Sequence, residues 1–479
     1  MARLIRTAMT AAADAASLRN LVPPPAPRRR DALIGAGVEV PCVDGRTRRY
    51  VDLDHAASTP ALAGVWEAVE AFLPWYSSVH RGSGRKSQVA TAAYEDARAD
   101  VAGFVGARSD DLVVFTGNTT EAVNVLAAAL PAGTRVLSSA AEHHANMLPW
   151  RRHELRLLPL AGSAGELLER CERSLRAARP GFDLVAVTGA SNVTGEVWPL
   201  AELAALAHRH GAELFTDAAQ LAPHRPIDMA SAGIDHLAFS GHKLYAPFGA
   251  GALVGHRRRL AGGEPLVHGG GAVELVTLDD VIWADAPARY EAGSPNVIGA
   301  VALGAACRIL ADLGIDRIAA RERALSAYLG RGLARLPSVR RLRLWNDPDI
   351  DRVGIATFNL DGYRHPLLAA ILSAEYAIGV RHGCFCAHPL ITRLLGVPDH
   401  HAARYHAELR GGRKPTLPGA VRASLGLGST ADDVDRLLGA LRRIALAGPQ
   451  APYRHHPERD EYQPTESRPR PAPAATRDR

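Results

Sequence analysis

Lysine is almost missing from this 479-residue chain: of 56 basic residues, only Lys86, Lys243 and Lys414 are lysines. Arginine supplies the generic positive charge, so a retained amine points to a position where a group able to lose its proton and attack a carbonyl is needed. Cysteine is also scarce. Cys42, Cys171, Cys307, Cys384 and Cys386 are odd in number and scattered, which excludes a disulfide framework and fits a reducing compartment, here taken as the cytoplasm. No uninterrupted apolar run approaches the ~18 residues that a membrane-spanning helix needs, so no membrane partner is expected. Aromatics are only 5% and charged residues 22%, against 47% hydrophobic; this is the balance of a globular chain rather than a fibrous or disordered one.

The formal charge of +6 does not indicate nucleic acid. Residues 1–30 hold six arginines against one aspartate and residues 449–479 hold six against five acids, which leaves residues 31–448 formally neutral. A basic balance confined to the tails is not a nucleic-acid footprint. The same tails, LVPPPAPRRR and the stretch from 448 to 479, are too poor in apolar residues to offset ordering entropy, and both read as disordered. A transit peptide is the alternative reading of residues 1–30.

Between the tails, apolar strand-like runs alternate with helical patterns: LVVFTG then TTEAVNVLAAAL, RVLSSA, FDLVAVTGAS, LAELAALAHRHG then AELFTDAA, HLAFSGHK and GALVG. Such alternation predicts βαβ units and a mostly parallel sheet sandwiched by helices, assigned to residues 51–305. From about 306 to 447 the order changes to two helical stretches, short strands such as GIATFNL, and a final helix in STADDVDRLLGALRRIAL capped by Ser429 or Thr430. This reads as a smaller α+β domain, with residues 31–50 expected to pack on it.

Lys243 lies in HLAFSGHKLYAPFGAG, just beyond an apolar strand, at the carboxyl edge where α/β sheets bind ligands. Asp217 ends another strand in AELFTDAAQ, with Gln220 after it. A carboxylate there can pair with the protonated ring nitrogen of pyridoxal phosphate. FTGNTTEA places Thr119 and Thr120 at a helix start suited to phosphate, EHHANMLPW supplies His143 as a ring to stack on a cofactor, and GASNVTGE supplies Asn192. Each piece alone has a plainer reading, such as a capping box in NTTEA.

Taken in order, FTGNTTEA, EHHANMLPW, SNVTGE, TDAAQ, FSGHKLYAPFGAG, HGGG, YEAGSPNVIGA, VRHGCFCAHPL and VRASLGLGSTADDVDRL resemble the class V aminotransferases of pyridoxal fold type I, with the nearest likeness to SufS-like cysteine desulfurases and selenocysteine lyases. The likeness runs from about residue 50 to 445. It implies that Lys243 holds the cofactor covalently, Asp217 pairs with its ring nitrogen, and Gln220 and Asn192 face its phenolic side. His143 would stack on the ring, and Thr120, Ser240 and His242 would hold the phosphate. Ser294 would reach the phosphate of a partner subunit, implying a homodimer, and Arg422 would clamp the substrate carboxylate. No metal is implied.

The stretch Gly383-Cys384-Phe385-Cys386-Ala387-His388 leaves several readings open on its own residues: a metal site with His382 and His388, a tight disulfide, a reactive thiol with a neighbour, or two core residues. The resemblance selects Cys386 as the residue that takes sulfur from L-cysteine as a persulfide, with release of alanine and onward transfer to an acceptor protein; Arg381 would help to ionise it. Cys384 falls on a variable position. The alternatives are another class V reaction (carbon–sulfur lyase, selenocysteine lyase, epimerase or aminotransferase) or a catalytically silent redox or binding protein. The chain departs from the family pattern at Ser83-Gly84-Arg85, where a histidine is usual, at His55, and at Asn118, where Gly is frequent and Asn would tolerate a left-handed backbone. The segment 396–420 is longer than expected and reads as a lid, a docking surface for an acceptor or a solvated loop.

Overall fold

The structure is a computed structural model that describes residues 32–347, 349–413 and 415–465. Residues 1–30, Lys414 and the end of the expected C-terminal tail lie outside them. The described residues form two compact units: one comprises 32–35, 55–324 and 344–354, the other 36–54, 325–343 and 355–465. The sequence reading sets a boundary at 305–306, but the helix Val297–Leu313 runs through that position.

The first unit is built on a seven-stranded sheet: β1 Asp111–Thr116, β2 Arg135–Ser139, β3 Glu154–Leu158, β4 Leu184–Thr188, β5 Glu213–Asp217, β6 His236–Ser240 and β7 Gly251–His256, in the order β1-β7-β6-β5-β4-β2-β3. Only β7 is reversed, pairing antiparallel with both β1 and β6; the other pairings are parallel. β4 and β6 are buried at every position, as expected for strands covered on both faces, whose side chains need not alternate in polarity. The intervening helices bury one stripe each: Ala164–Ala177 buries Leu167, Cys171, Ser174 and Leu175 and is capped by Ser163, whose side chain accepts from Glu166 N–H. One face of the sheet packs Val114, Val136, Ala186, Phe215 and Leu253 with Trp150 in a continuous core.

Residues 344–354 are tied into this unit by a buried ion-pair network. Arg225 donates to both oxygens of Asp351 at 2.8 Å and to Glu322 at 2.8 Å, and Glu322 also pairs with His224. One guanidinium fork thus satisfies two carboxylates.

The second unit has a four-stranded antiparallel sheet, β8 Val339–Leu342, β9 Ile355–Leu360, β10 Arg381–Gly383 and β11 Ala420–Ser424, in the order β8-β9-β11-β10. The helices His365–Tyr376 and Ala431–Ala447 bury Leu368, Ile371, Leu372, Val434, Leu437, Leu441 and Ile444 in one core with Phe358 and Val421. Of the two candidate caps, Thr430 is the one used: it forms a full capping box with Asp433. Val51–Asp52 adds a parallel pairing to Ile378–Gly379.

Two segments differ from their sequence reading. Asp399–Arg410 within 396–420 is a helix with no buried residue. The expected disordered stretch from 448 contains a hairpin, Tyr453–His456 against Glu461–Pro464. It is ordered by polar contacts that composition does not reveal: Arg364 donates to Asp460 at 2.7 Å and to the Tyr462 hydroxyl at 3.0 Å, and the His455 ring stacks on Tyr462 at 4.6 Å. No single described helix is long and apolar enough to cross a membrane.

Candidate active site

In the first unit, the expected residues gather at the carboxyl ends of successive strands. After β1, Asn118 caps the helix Thr119–Ala129 by accepting from Glu121 N–H at 3.1 Å. Its φ of −174° is extended, so asparagine is present as a cap and not for a left-handed backbone. The Thr119 N–H donates to Ser240 Oγ at 2.8 Å, and the two buried hydroxyls lie 2.6 Å apart. The start of this helix is therefore locked to the end of β6, while Thr120 is exposed in its first turn. Gly251 makes the approach possible, since a Cβ there would lie 2.8 Å from Asn118 Cα. The Thr119, Thr120 and Ser240 hydroxyls and the helix dipole at one point suit a phosphate.

Asp217, at the end of β5, is 5% exposed. Its Oδ1 accepts from Ala219 N–H at 3.0 Å. Burial pushes its pKa up, the Ala219 N–H and the Lys243 charge pull it back, and a cationic ring nitrogen would stabilise it further. Gln220 is buried, spends one N–H on Ala56 C=O at 2.6 Å and leaves its Oε1 buried without a hydrogen bond. Asn192 is buried just after β4. His143 accepts from Ala145 N–H through Nδ1 at 3.0 Å, which puts the proton of the neutral ring on Nε2. These groups fit a pyridoxal phosphate: an anion site, a buried carboxylate, a ring of fixed tautomer and an amine.

The amine is Lys243, in the turn Gly241–Lys243 that follows β6. The His242 carbonyl in this turn accepts from Thr59 N–H at 2.8 Å and from the Ser58 and Thr59 hydroxyls at 3.1 Å. Burial, then the Lys243 charge, holds the His242 imidazole below its ordinary pKa, so it is neutral at pH 7. Tyr245 leaves the turn at φ +63° and is almost fully buried, with its N–H on Thr59 Oγ1 at 2.8 Å. A bulky residue in the left-handed region costs about 1–2 kcal/mol, which burial of the ring offsets.

Glu142, beside His143, escaped the sequence reading. It is fully buried, accepts from Thr188 N–H at 3.0 Å and from Asn146 Nδ2 at 2.7 Å, and burial keeps its pKa well above the usual carboxylate range. In the sequence it is one acid beside two imidazoles, with nothing local to mark its burial. Ser294 does not join the strand-end group. It is exposed on a cavity of about 670 Å³ lined by Tyr76, His80, Arg98 and Glu291, with none of the strand-end residues in its wall.

In the second unit, Arg422 on β11 is 3% exposed and lies directly opposite Arg381 of β10. Asp54 separates the two cations: Oδ2 is 2.8 Å from Arg381 and Oδ1 is 3.5 Å from Arg422. Burial lowers the Arg422 pKa to about 10, with Asp54 opposing that effect; the guanidinium stays charged at neutral pH. A desolvated planar fork of this kind suits a carboxylate.

The cysteine loop follows β10. Ala387 N–H donates to Cys384 C=O at 3.0 Å, closing a turn whose central residues, Phe385 and Cys386, both have φ of +54°. Turns with two left-handed centres usually hold Asn-Gly, so two L side chains here store about 2–4 kcal/mol of local strain. Cys386 is exposed, Cys384 is half-buried, and both are free thiols. Among the described residues the metal-ligand arrangement falls elsewhere, at Asp110, Asp111 and His256. There it is part of an ion-pair chain through His256 to Asp235.

A mostly parallel sheet with an anion site, a buried carboxylate and a lysine at successive strand ends defines the pyridoxal-dependent fold type I class. The family model for class-V aminotransferases matches residues 51–437, and the chain belongs to that family. It is 38% identical over 414 residues to a cysteine desulfurase of Dickeya dadantii, covering 84% of this chain and 93% of the relative. It is 36% identical over 403 residues to a probable cysteine desulfurase of Halobacterium salinarum, covering 82% and 90%. Among solved structures it is similar to the cysteine desulfurase CsdA of Escherichia coli (TM-score 0.69, 33% identity, 82% and 94% of the two chains). It is also similar to an apo cysteine desulfurase of Thermococcus onnurineus (0.72, 32%, 83% and 94%).

Proposed function

We propose that this protein is a cysteine desulfurase that moves sulfur from L-cysteine onto Cys386 and releases alanine. The observation that carries the reading is the exposed Cys386 on a left-handed turn in the same unit as the buried, charge-held Arg422. Pyridoxal phosphate, when bound, supplies an electron sink that makes the Cα proton of the amino acid acidic. Thr119, Thr120, Ser240 and His242 would hold its phosphate, Asp217 its ring nitrogen, Gln220 and Asn192 its phenolic side, and His143 its face.

Lys243 Nζ takes the Cα proton and returns a proton as alanine forms. Arg422 orients the substrate through its carboxylate. The Cys386 thiolate attacks the substrate sulfur: an S–S bond forms, the C–S bond breaks, and the carbon fragment leaves as alanine after protonation. The persulfide on an exposed thiol is then accessible to an acceptor protein. Ser294, exposed on the rim of a cavity of about 670 Å³, fits a homodimer in which one subunit completes the other's site. Five free thiols among the described residues support a reducing, cytoplasmic setting.

Incubation of the purified holoenzyme with L-cysteine tests the reading by product. Alanine and sulfide in equal amounts under reductant are expected; pyruvate, or alanine without a persulfide on Cys386, overturns it in favour of another class V reaction.

A further inference from the structure

Between Gly383 and Ala387 the cysteine loop has a single buried side chain, Phe385, flanked by a half-buried and an exposed cysteine. Its ring lies against the Arg422 guanidinium, with Cζ 4.9 Å from the ring centroid. That guanidinium is itself buried and lies 3.5 Å from Asp54 Oδ1. A cation over a ring gains most where both are shielded from water, as here. Such an anchor offsets the cost of the turn, in which two successive residues without glycine take left-handed angles beside the backbone hydrogen bond from Ala387 to Cys384.

We propose that Phe385 is the positioning residue for Cys386: stacked on Arg422, its ring holds the turn in the left-handed form that presents the thiol. This rests on the reading of Cys386 as the sulfur acceptor. It adds that the residue recognising the carboxylate also fixes the nucleophile's loop, so two functions share one buried cation.

The test compares Phe385→Tyr, Phe385→Leu and Phe385→Asn in the holoenzyme. Leucine keeps an apolar side chain without a ring, and asparagine favours the left-handed backbone without one. Amide hydrogen exchange of the peptide spanning 383–390 is read alongside kcat and KM for L-cysteine. Tyrosine is expected to match the wild type. Leucine should speed exchange about tenfold and lower kcat about tenfold, the size of a shielded cation–π contact, and asparagine, which lowers the backbone cost at 385, should fall between leucine and the wild type in both. KM should stay within about twofold, since Asp54 still holds Arg422. Wild-type exchange and kcat in the leucine variant would overturn the proposal, as would a tyrosine variant that behaves like leucine, or a rise in KM with kcat unchanged. The exchange contrast needs no sulfur chemistry. If it appears while the wild type yields no alanine from cysteine, the positioning stands and the sulfur-accepting reading falls; the reverse result separates the two in the other direction.

Discussion

Asp54→Asn removes the carboxylate that stands between two arginines facing each other across β10 and β11. The two ion pairs differ in worth. Arg381 is half exposed, so its 2.8 Å contact is an ordinary surface bridge of at most about 1 kcal/mol. The side chain of Arg422 is only 4% exposed against 23% for Asp54. At an effective dielectric of about 20, their attraction is on the order of 4–5 kcal/mol before any relaxation. Breaking a buried pair typically costs about 3–5 kcal/mol; with Asp54 partly solvated, we expect Asp54→Asn to lower the unfolding free energy by about 3 kcal/mol. Arg381→Gln makes the test sharper. In the wild-type background it should destabilise by about 0.5 kcal/mol through the lost surface pair. In the Asp54→Asn background it should stabilise by about 0.5–1 kcal/mol, by removing a like charge directly opposite Arg422. Urea midpoints of the four proteins at low, fixed salt give all the terms, and the reversal should shrink as salt is added. A loss below about 1 kcal/mol for Asp54→Asn, or the same sign for Arg381→Gln in both backgrounds, refutes the picture of one carboxylate compensating two cations.

Gly251→Ala should force the capped start of Thr119–Ala129 away from β7, since the new methyl meets Asn118 Cα and Phe239 C=O at 2.8 Å; a loss of about 2 kcal/mol or more and weaker phosphate binding to the apoprotein are expected. His365 is held to a pKa of about 4, by burial and then by the His382 charge, against an ordinary 6.5. The unfolded chain therefore takes up this proton first. Stability from the group is complete above 6.5 and is lost as the pH falls towards 4, by at most about 3 kcal/mol, and His365→Gln should flatten the urea-midpoint profile in that window. Lys243→Ala should lose the borohydride-trappable adduct with pyridoxal phosphate, read by mass; an intact adduct refutes the lysine's role. Cys386→Ser should keep the cofactor colour and lose the persulfide, whereas Cys384→Ser should be mild in both.

The strand-end residues were legible because each follows an apolar run that can only be a buried strand, and the lysine census separates Lys243 from the generic cations. What escaped needed the third dimension. Asp54 acquires its role from a strand pairing with residues more than three hundred positions away, and Glu142 from a backbone N–H on β4. Phe385 and Tyr245 are ordinary aromatics until their φ values are seen. The hairpin Tyr453–Pro464 is illegible in the sequence for the opposite reason: ion pairs and a stacked ring order a stretch whose composition lacks the apolar content of a core.

The division of the chain at 35, 54, 324, 343 and 354 also bears on how the protein is made. Neither unit is a continuous length of sequence, so no single cut releases either of them whole. On the ribosome, the first unit must wait for residues 344–354 and their clasp on Arg225. The early strand Val51–Asp52 meets its partner Ile378–Gly379 only when most of the chain has emerged. Synthesis thus leaves that strand unpaired until residues 378–379 have emerged, and folding of the second unit is a late event with high contact order.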